Sequence, residues 1–278
     1  CGAQAPDWGW AKSTGGASYE QAYKVSTDAA GNVYIAGTFE SPTITFGNIT
    51  LSNTGSSDIY VAKYDANGNI QWANSVTGDG NDGVYGMTAD ADGNIYVCGY
   101  FNSATLSFDG TDITKGGASD AYIVKYNSAG NVVWARQSGS SGYDQMQSVA
   151  VDSRGNVFVC GIYQNATFTF GSITLTSSGD NDSFIAKYDS SGNAIWAQKV
   201  AGNSWDDVYD IAVDINGNPY ISGYFGGSAL VLGNITLPNS SPSSAFVAKY
   251  DGNGNIQWAK NAGSSGFVFE SSIAVDRN

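Results

Sequence analysis

The amino-acid sequence predicts an all-β protein made of tandem units, because three features point the same way: a fixed repeat, a composition rich in turn residues, and paired strand patterns. The repeat is plainest in tryptophan, which recurs every 62 residues without insertion or deletion at Trp10, Trp72, Trp134, Trp196 and Trp258. A constant period indicates that each unit buries its faces against its neighbours.

Composition and charge narrow the class of protein. Charged residues make up 13% of the 278 residues and glycine alone contributes 36, which suits short strands and tight turns rather than helices. Aromatic residues reach 13%, too many for a disordered chain. The net charge of −13 argues against nucleic acid or an anionic membrane as partner, since both attract basic patches. No apolar stretch approaches the roughly 20 residues of a transmembrane span.

The pattern of one repeat unit predicts two long hairpins with a shorter hairpin between them. In the second unit the first predicted hairpin covers 84–101 around the Asp90–Gly93 turn, the short one covers 104–114, and the second long one covers 120–136. The Asp-x-x-Gly pattern is typical of a type I turn, in which aspartate accepts backbone N–H bonds and glycine takes a positive φ.

Four long antiparallel strands per unit are the content of one β-propeller blade. A two-sheet sandwich gives no reason for identical units at constant spacing, and the rungs of a β-solenoid are usually much shorter. The sequence therefore predicts an all-β propeller of four full blades plus parts of another. The expected boundaries are an export or anchor remnant at 1–9, a repeat domain at 10–278, blades at about 20–76, 82–138, 144–200 and 206–262, and partial blade strands at about 10–14 and 267–276.

The repeated motifs are similar to those of a known family. The patterns Asp-x-x-Gly-Asn-Val-Tyr-Ile-x-Gly, Asp-x-Tyr-Val-Ala-Lys-Tyr-Asp and Gly-Asn-x-x-Trp-Ala recur between Trp10 and Asp276 and resemble the SBBP-type β-propeller repeats of exported bacterial proteins, common in Bacteroidetes. The resemblance implies a secreted or cell-surface protein. It carries over no catalytic residues, because the family shares none.

The cysteines favour export and argue against a disulfide. Cys1 fits either a lipid-modified N-terminal cysteine of a lipoprotein or the small-residue tail of a signal peptide, and both imply an exported chain. Cys98 and Cys160 occupy the same slot in neighbouring units, where equivalent side chains point alike, so they are expected to be buried and unpaired.

Counting strands raises the question of how the propeller is completed. The leftover strands near Trp10 and at 267–276 are the first and fourth of a blade whose middle two are absent, and the chain stops inside a turn at 276–278. One hypothesis is that the sequence is part of a longer polypeptide. The other is that a partner supplies the missing strands by β-augmentation.

The residue inventory argues against catalysis. There is no histidine, which removes Ser-His-Asp triads and histidine-based zinc sites, and the cysteines lack metal-ligand spacing. No cofactor is expected, and paired carboxylates leave only a glycan-active enzyme as a distant third function. Asp90 and Asp92 resemble part of a calcium loop, but capping of the turn is the favoured interpretation.

Two further columns of the repeat are expected to be structural. The lysines Lys63, Lys125, Lys187 and Lys249 are predicted to form ion pairs or to pack their stems against a neighbouring tyrosine. The tryptophan column is predicted to lie in the core with its indole N–H bonded inside the blade.

The loops that precede the first strand of each unit, called here the lead-in loops, are the candidate binding site. They place aromatic rings beside acids at Tyr19, Glu20, Asp82, Tyr143, Asp144, Trp205 and Asp206, with Phe267-Val268 at the next equivalent position. In a propeller these loops emerge on one face, and rings beside carboxylates suit sugar binding. The alternative is that the rings cover the blade ends while the acids cap strand starts.

These observations predict a non-catalytic binding module for a protein or glycan, located outside the cell or on the outer-membrane surface. Membrane attachment is expected only if Cys1 is lipidated. The alternative function is a structural subunit that docks into a surface complex through its incomplete blade.

Overall fold

A computed structural model describes residues 9–165, 167–178, 181–263 and 272–276 of the chain. Within these ranges the secondary structure consists of strands, turns and extended segments, with 24 strands and no helix. The predicted all-β class is therefore confirmed.

Each of four units contributes six strands, numbered here in chain order. The first unit contains β1 (Glu20–Thr27), β2 (Val33–Phe39), β3 (Thr43–Phe46), β4 (Ile49–Ser52), β5 (Asp58–Tyr64) and β6 (Ile70–Val76). The second contains β7 (Asp82–Ala89), β8 (Ile95–Phe101), β9 (Thr105–Phe108), β10 (Thr111–Thr114), β11 (Asp120–Tyr126) and β12 (Val132–Ser138). The third contains β13 (Asp144–Val151), β14 (Val157–Gln164), β15 (Thr167–Phe170), β16 (Ile173–Thr176), β17 (Asn181–Tyr188) and β18 (Ala194–Gly202). The fourth contains β19 (Asp206–Val213), β20 (Pro219–Phe225), β21 (Ala229–Leu232), β22 (Ile235–Pro238), β23 (Ser244–Tyr250) and β24 (Ile256–Gly263).

The long strands of every unit form one antiparallel four-stranded sheet. In the first unit the order is β1-β2-β5-β6, and the other three units repeat it. The short middle hairpin of a unit leans toward the preceding unit, as in the pairing of β18 with β21 and the bridge between Thr77 and Ser107. The four sheets follow one another through their first strands, with β1 against β7, β7 against β13 and β13 against β19. This is the propeller-like arrangement that the repeat predicts.

The turns follow the predicted chemistry. In the turn between β7 and β8 the Asp90 carboxylate accepts hydrogen bonds from the backbone N–H groups of Asp92 and Asn94 at 3.0 and 2.9 Å. Gly93 closes the turn with φ at 76°, a conformation that a side chain would strain.

The hydrophobic core lies between the blades. One cluster joins the first and second units through Ile59 and Val97, a second joins the second and third through Ile123 and Val159, and a third joins the third and fourth through Ile185. Cys98 and Cys160 are buried free thiols in these layers, as predicted. Because each sheet gives an apolar face to its neighbour, a unit needs the next one to be stable.

A contact between blades, called here the tryptophan clasp, repeats along the array. The indole N–H of Trp72 donates to the Ser128 carbonyl of the next unit at 3.2 Å, and the same bond joins Trp134 to Ser190 at 3.1 Å and Trp196 to Gly252 at 3.2 Å. The prediction that the indole bonds inside its own blade is wrong, because the side chain points across the gap between sheets.

Each clasp needs a glycine in the turn that it covers. A Cβ atom on Gly130 would lie 2.8 Å from the Trp72 ring, and one on Gly192 would lie 2.7 Å from the Trp134 ring. Trp10 covers the first unit in the same way, since its N–H donates to the Ala66 carbonyl at 3.1 Å. The glycine column is therefore set by ring packing as well as by turn geometry.

Lysine reinforces the clasp from the neighbouring strand. Lys63 donates to the same Ser128 carbonyl at 3.1 Å, and Lys187 to the Gly252 carbonyl at 2.9 Å. The Lys63 ammonium also sits 5.2 Å from the centre of the Tyr34 ring. The lysines therefore contact aromatic rings, but the ring lies on the paired strand, as Tyr34 does for Lys63 and Phe158 for Lys187, and is not that of the adjacent tyrosine. The link to the next blade adds to this contact.

The two ends of the array are more exposed than its interior. Val25 on β1 is 66% exposed, and Trp258 on β24 is 37% exposed, against 5% for Trp134. The described residues therefore present an open face at each end.

Replacing Trp134 by alanine is expected to lower the free energy of unfolding by about 3–5 kcal/mol, because it empties a buried site and orphans the Ser190 carbonyl. Trp258→Ala is the matched control, since its exposed ring should cost only about 1 kcal/mol. Urea unfolding followed by far-UV circular dichroism measures both. Equal losses at the two positions would contradict a stabilising role for the clasp.

Candidate functional site

Three aromatic rings stand out from the lead-in loops. Tyr19, Tyr143 and Trp205 are 58%, 62% and 62% exposed, and each immediately precedes the first strand of its unit. Because the units repeat, the three rings occupy equivalent positions at one end of the blades. Predicted ring residues and predicted acids are thus neighbours in the fold as well as in the sequence.

The backbone beneath these rings is held in place. The Tyr19 carbonyl accepts a hydrogen bond from Glu40 N–H at 2.9 Å, and the Trp205 carbonyl accepts one from Gly226 N–H at 2.8 Å. Tyr143 forms a parallel bridge to Ser119 of the preceding unit. Rings on a fixed backbone lose little conformational entropy when they bind a ligand.

The acids beside the rings are turned into the protein. Asp82, Asp144 and Asp206 are at most 1% exposed. Asp82 accepts from the backbone N–H groups of Asn102 and Ser103 at 2.9 and 3.1 Å and from the Ser103 hydroxyl at 2.5 Å. These bonds tie the start of β7 to the segment that follows β8.

The other acids of the lead-in loops have similar partners. Asp144 accepts from the backbone N–H and hydroxyl of Ser140 at 2.5 and 2.8 Å, and Asp206 accepts from Gly202 N–H. Glu20, which is half-buried, accepts from Gly16 N–H at 3.0 Å. The buried aspartates cannot reach a sugar hydroxyl in this arrangement, so they serve as loop caps and only the rings are exposed. Ligand binding at the rings stays a prediction.

Burial raises the pKa of all three buried aspartates, Asp82, Asp144 and Asp206. Desolvation raises the pKa of Asp144 to about 6, with the Asp120 charge adding to the effect. It raises the pKa of Asp206 to about 7, and the charges of Asp182 and Asp207 act in the same direction. One carboxylate oxygen each of Asp182 and Asp206 is buried without a hydrogen bond. Among the three buried lead-in aspartates, the charge of Asp206 is therefore the least compensated by hydrogen bonds.

The Asp90 carboxylate, considered above as part of a calcium loop, accepts its hydrogen bonds from its own hairpin. Besides the two backbone N–H groups, the Asp90 carboxylate accepts from the Asn94 amide at 2.8 Å and from the Tyr96 hydroxyl at 3.1 Å. No group of three or more Asp, Glu, Cys or His side chains gathers as metal ligands within the described ranges. The contacts of Asp90 agree with turn capping, and Asp92 contributes its backbone N–H to that cap.

Some predicted features fall outside the described residues. These are the lipidation candidate Cys1 and the fifth lead-in position, Phe267-Val268. In the part of the chain that is described, no helix has the length and apolarity needed to cross a membrane.

The sequence did not predict two pairs of packed tyrosines, one between β7 and β8 and one between β19 and β20. The rings of Tyr85 and Tyr100 lie 5.3 Å apart, those of Tyr209 and Tyr224 lie 5.6 Å apart, and the Tyr224 hydroxyl donates to Asp207 at 2.7 Å. The available signal was the recurrence of tyrosine at multiples of 62 residues, at the strand bulges of Tyr23, Tyr85 and Tyr209. Its role depends on cross-strand neighbours that the repeat alone does not reveal.

Asp206→Asn is expected to stabilise the protein progressively from about pH 5 to about pH 8. An acid whose pKa is higher in the folded state binds more protons there, so the free energy of unfolding falls as pH rises toward about 7 and then levels off. Since one pKa unit is worth about 1.4 kcal/mol, the asparagine should remove a penalty of roughly 2–4 kcal/mol at pH 8.

Urea unfolding across that pH range measures the effect. Asp65→Asn is the control of opposite sign, because hydrogen bonding from Asn69 lowers the pKa of Asp65 below its usual range, so this variant should be destabilised by the same amount across the whole pH range measured. If Asp206→Asn and the wild type kept parallel pH profiles, the raised pKa of Asp206 would be refuted.

Comparison with known proteins agrees with this fold. The chain is 26% identical to an uncharacterised WD repeat-containing protein of Acanthamoeba polyphaga mimivirus, over 91% of this chain and 23% of that protein. It is 30% identical to the regulatory protein FlaEY of Caulobacter vibrioides, over 59% of this chain and 18% of that protein. The chain thus spans less than a quarter of the length of these relatives.

Among solved structures, a protein of unknown function from Bacteroides caccae aligns with a TM-score of 0.35 and 12% identity, covering 87% of this chain and 82% of that one. A model of the SBBP family, described as a beta-propeller repeat, matches residues 133–161. That segment contains the clasp residue Trp134 and runs to the middle of β14. The match supports the SBBP repeat family that the sequence motifs resemble.

Proposed function

We propose that the protein is a non-catalytic binding module whose lead-in loops contact a protein or glycan ligand. The observation that carries the proposal is the set of three exposed rings, Tyr19, Tyr143 and Trp205, on backbone that is already hydrogen-bonded in place. Aromatic side chains supply large contact area at low entropic cost.

The chemistry of the loops favours a neutral or cationic ligand. The chain carries a net charge of −13, so an anionic ligand would be repelled. With the aspartates buried, recognition depends on stacking against the rings and on exposed amides such as those of Asn81 and the partly exposed Gln145. The C–H faces of sugars and the side chains of a peptide both suit such a surface.

A protein ligand is supported by the relatives, and a surface location by the motifs. One matched relative is a WD repeat-containing protein and another is called regulatory, so a protein ligand is what analogy with these relatives suggests. The SBBP-like motifs support export, with lipidation of Cys1 as the route to membrane attachment.

Substituting Tyr143 and Trp205 together by alanine is expected to abolish ligand binding with little change in stability, because both rings are exposed. A glycan array and a peptide array probed with wild type and variant provide the measurement. Ile215→Ala is the matched control, since Ile215 is equally exposed in a turn at the opposite end of the blade. Undiminished binding by the double variant would eliminate the lead-in loops as the site.

A second function, assembly into a surface complex, is supported by the open face of the fourth unit. Trp258 is exposed at a position where the interior tryptophans contact the next blade. A partner that covered this face would complete an array that the described residues leave open.

Crosslinking of the protein in intact membranes discriminates between the two functions. The assembly function predicts a stoichiometric protein adduct with wild type that Trp258→Ala loses and the Tyr143, Trp205 double variant retains. The reverse pattern would support the lead-in loops and reject docking through the fourth unit.

A further inference from the structure

The second and third units meet at a short parallel pairing of loop backbone. The Ser119 N–H donates to the Gly142 carbonyl at 3.1 Å, and the Asp144 N–H donates to the Ser119 carbonyl at 3.0 Å. Ser119 and Tyr143 form the parallel bridge between these bonds. This pairing of residues 118–119 with residues 142–144, called here the seam, holds the backbone of the exposed Tyr143 ring.

A buried acid follows the bridge on each strand of the seam. Asp120 and Asp144 are 0% and 1% exposed, and residues in register on paired strands project to the same face. Both carboxylates also contact one crossing segment. A Cβ atom on Gly139 would lie 2.6 Å from the carboxyl carbon of Asp120, and Asp144 accepts from the Ser140 N–H at 2.5 Å. The two acids therefore lie against consecutive residues of the same segment.

Neutral groups supply the hydrogen bonds of both acids. Asp120 accepts from two backbone N–H groups of the loop before β11, at 2.7 and 3.0 Å, and from the Gln137 amide. Asp144 accepts from the Ser140 hydroxyl at 2.8 Å and from the Gln164 N–H at 3.2 Å. These dipoles hold the carboxylates in place but bring no positive charge to them.

The charged and titratable side chains nearby are engaged elsewhere. Lys115, on the loop before β11, donates to two backbone carbonyls at 2.5 and 3.2 Å. Tyr163 lies opposite Asp144 on β14, and its hydroxyl donates to Asp182 at 3.5 Å. Across the described ranges no lysine or arginine forms an ion pair with either acid of the seam. Two negative charges at the seam would thus have no counter-charge.

The surroundings of Asp144 favour its protonated form. Burial raises the pKa of Asp144 to about 6, and the charge of Asp120 acts in the same direction. Asp82, in register with Asp120 across β8, brings a further carboxylate two strands away. Like charges that share a buried site cannot both ionise without cost.

We propose that Asp120 and Asp144 together bind one proton that stabilises the seam, and that loss of this proton to solvent releases the lead-in loop that carries Tyr143. With the proton bound, one negative charge remains and the parallel pairing is kept. Without it, like charges occupy neighbouring positions on paired strands, and opening of the loop lets water solvate both. The position of the Tyr143 ring then depends on pH, whatever ligand the ring binds.

The direction and size of the effect follow from proton linkage. In the open loop Asp144 returns to its ordinary pKa of 3.8, against about 6 in the closed loop. The closed loop therefore binds more protons and is most favoured below about pH 4, and opening becomes easier up to about pH 6. Over that range the equilibrium constant for opening should rise about a hundredfold.

Amide hydrogen exchange of the full chain, followed by NMR from about pH 4 to about pH 7, tests the proposal. After correction for intrinsic exchange, the protection of the Ser119 and Asp144 N–H groups should fall about a hundredfold and level off above about pH 6. The Val124 N–H, in the middle of β11, reports opening of the whole sheet and should stay better protected. Protection of the seam amides that equalled that of Val124 at every pH, or that did not change with pH, would overturn the proposal.

Three variants tie the profile to the acids. Asp144→Asn should make the protection of Ser119 independent of pH to within about twofold. Asp120→Asn is a second variant of the same pair and should lower the pH at which protection falls, because it removes the neighbouring charge. Asp189→Asn is the matched control, since Asp189 caps a turn of the third unit and Asn127 caps the equivalent turn of the second. It should keep the wild-type profile, and a wild-type profile in both seam variants would reject the shared proton.

Discussion

The contact on which the structure depends is the indole of one blade lying over the glycine turn of the next. Each sheet is too small to bury its own faces, so the free energy that stabilises the array comes from the gaps between sheets. The clasp fixes the outer edge of every gap, while packed first strands fix the inner edge. A single side chain thereby sets the orientation of consecutive blades, and the constant spacing of tryptophan follows from that geometry.

The same constraint explains why the buried acids are tolerated. The chain that leaves one outer strand must cross to the inner strand of the next blade, and the crossing carries backbone N–H groups that the sheets do not pair. Asp82 accepts instead from the segment that follows β8, whereas Asp144 accepts from the Ser140 N–H of the crossing, and the ordered loops then hold the exposed residues in position. Asp206 does so with fewer donors, so its burial is less compensated and its pKa rises further.

Much of the fold could be predicted because its signals are local or periodic. Turn type follows from Asp90 and Gly93, and strand count follows from alternation within one period. The direction in which Trp134 points could not be predicted. A strand residue can face either side of its sheet, and the same 62-residue spacing would be seen in both cases. Capping by Asp144 was one of two alternatives that the sequence left open, since a loop acid beside an exposed ring fits both a surface site and a cap until its donors are located.

The clasp also makes folding selective for its own turns. Inside the chain its donors, Lys187 and Trp196, bind the Gly252 carbonyl of the next unit, so the turn that carries this carbonyl must reach the indole ring closely. A Cβ on Gly254 would lie 2.8 Å from the Trp196 ring, so a turn with a side chain at this position would have to move away and lose the bond. The glycine of each turn is therefore required by the neighbouring blade as well as by the turn itself.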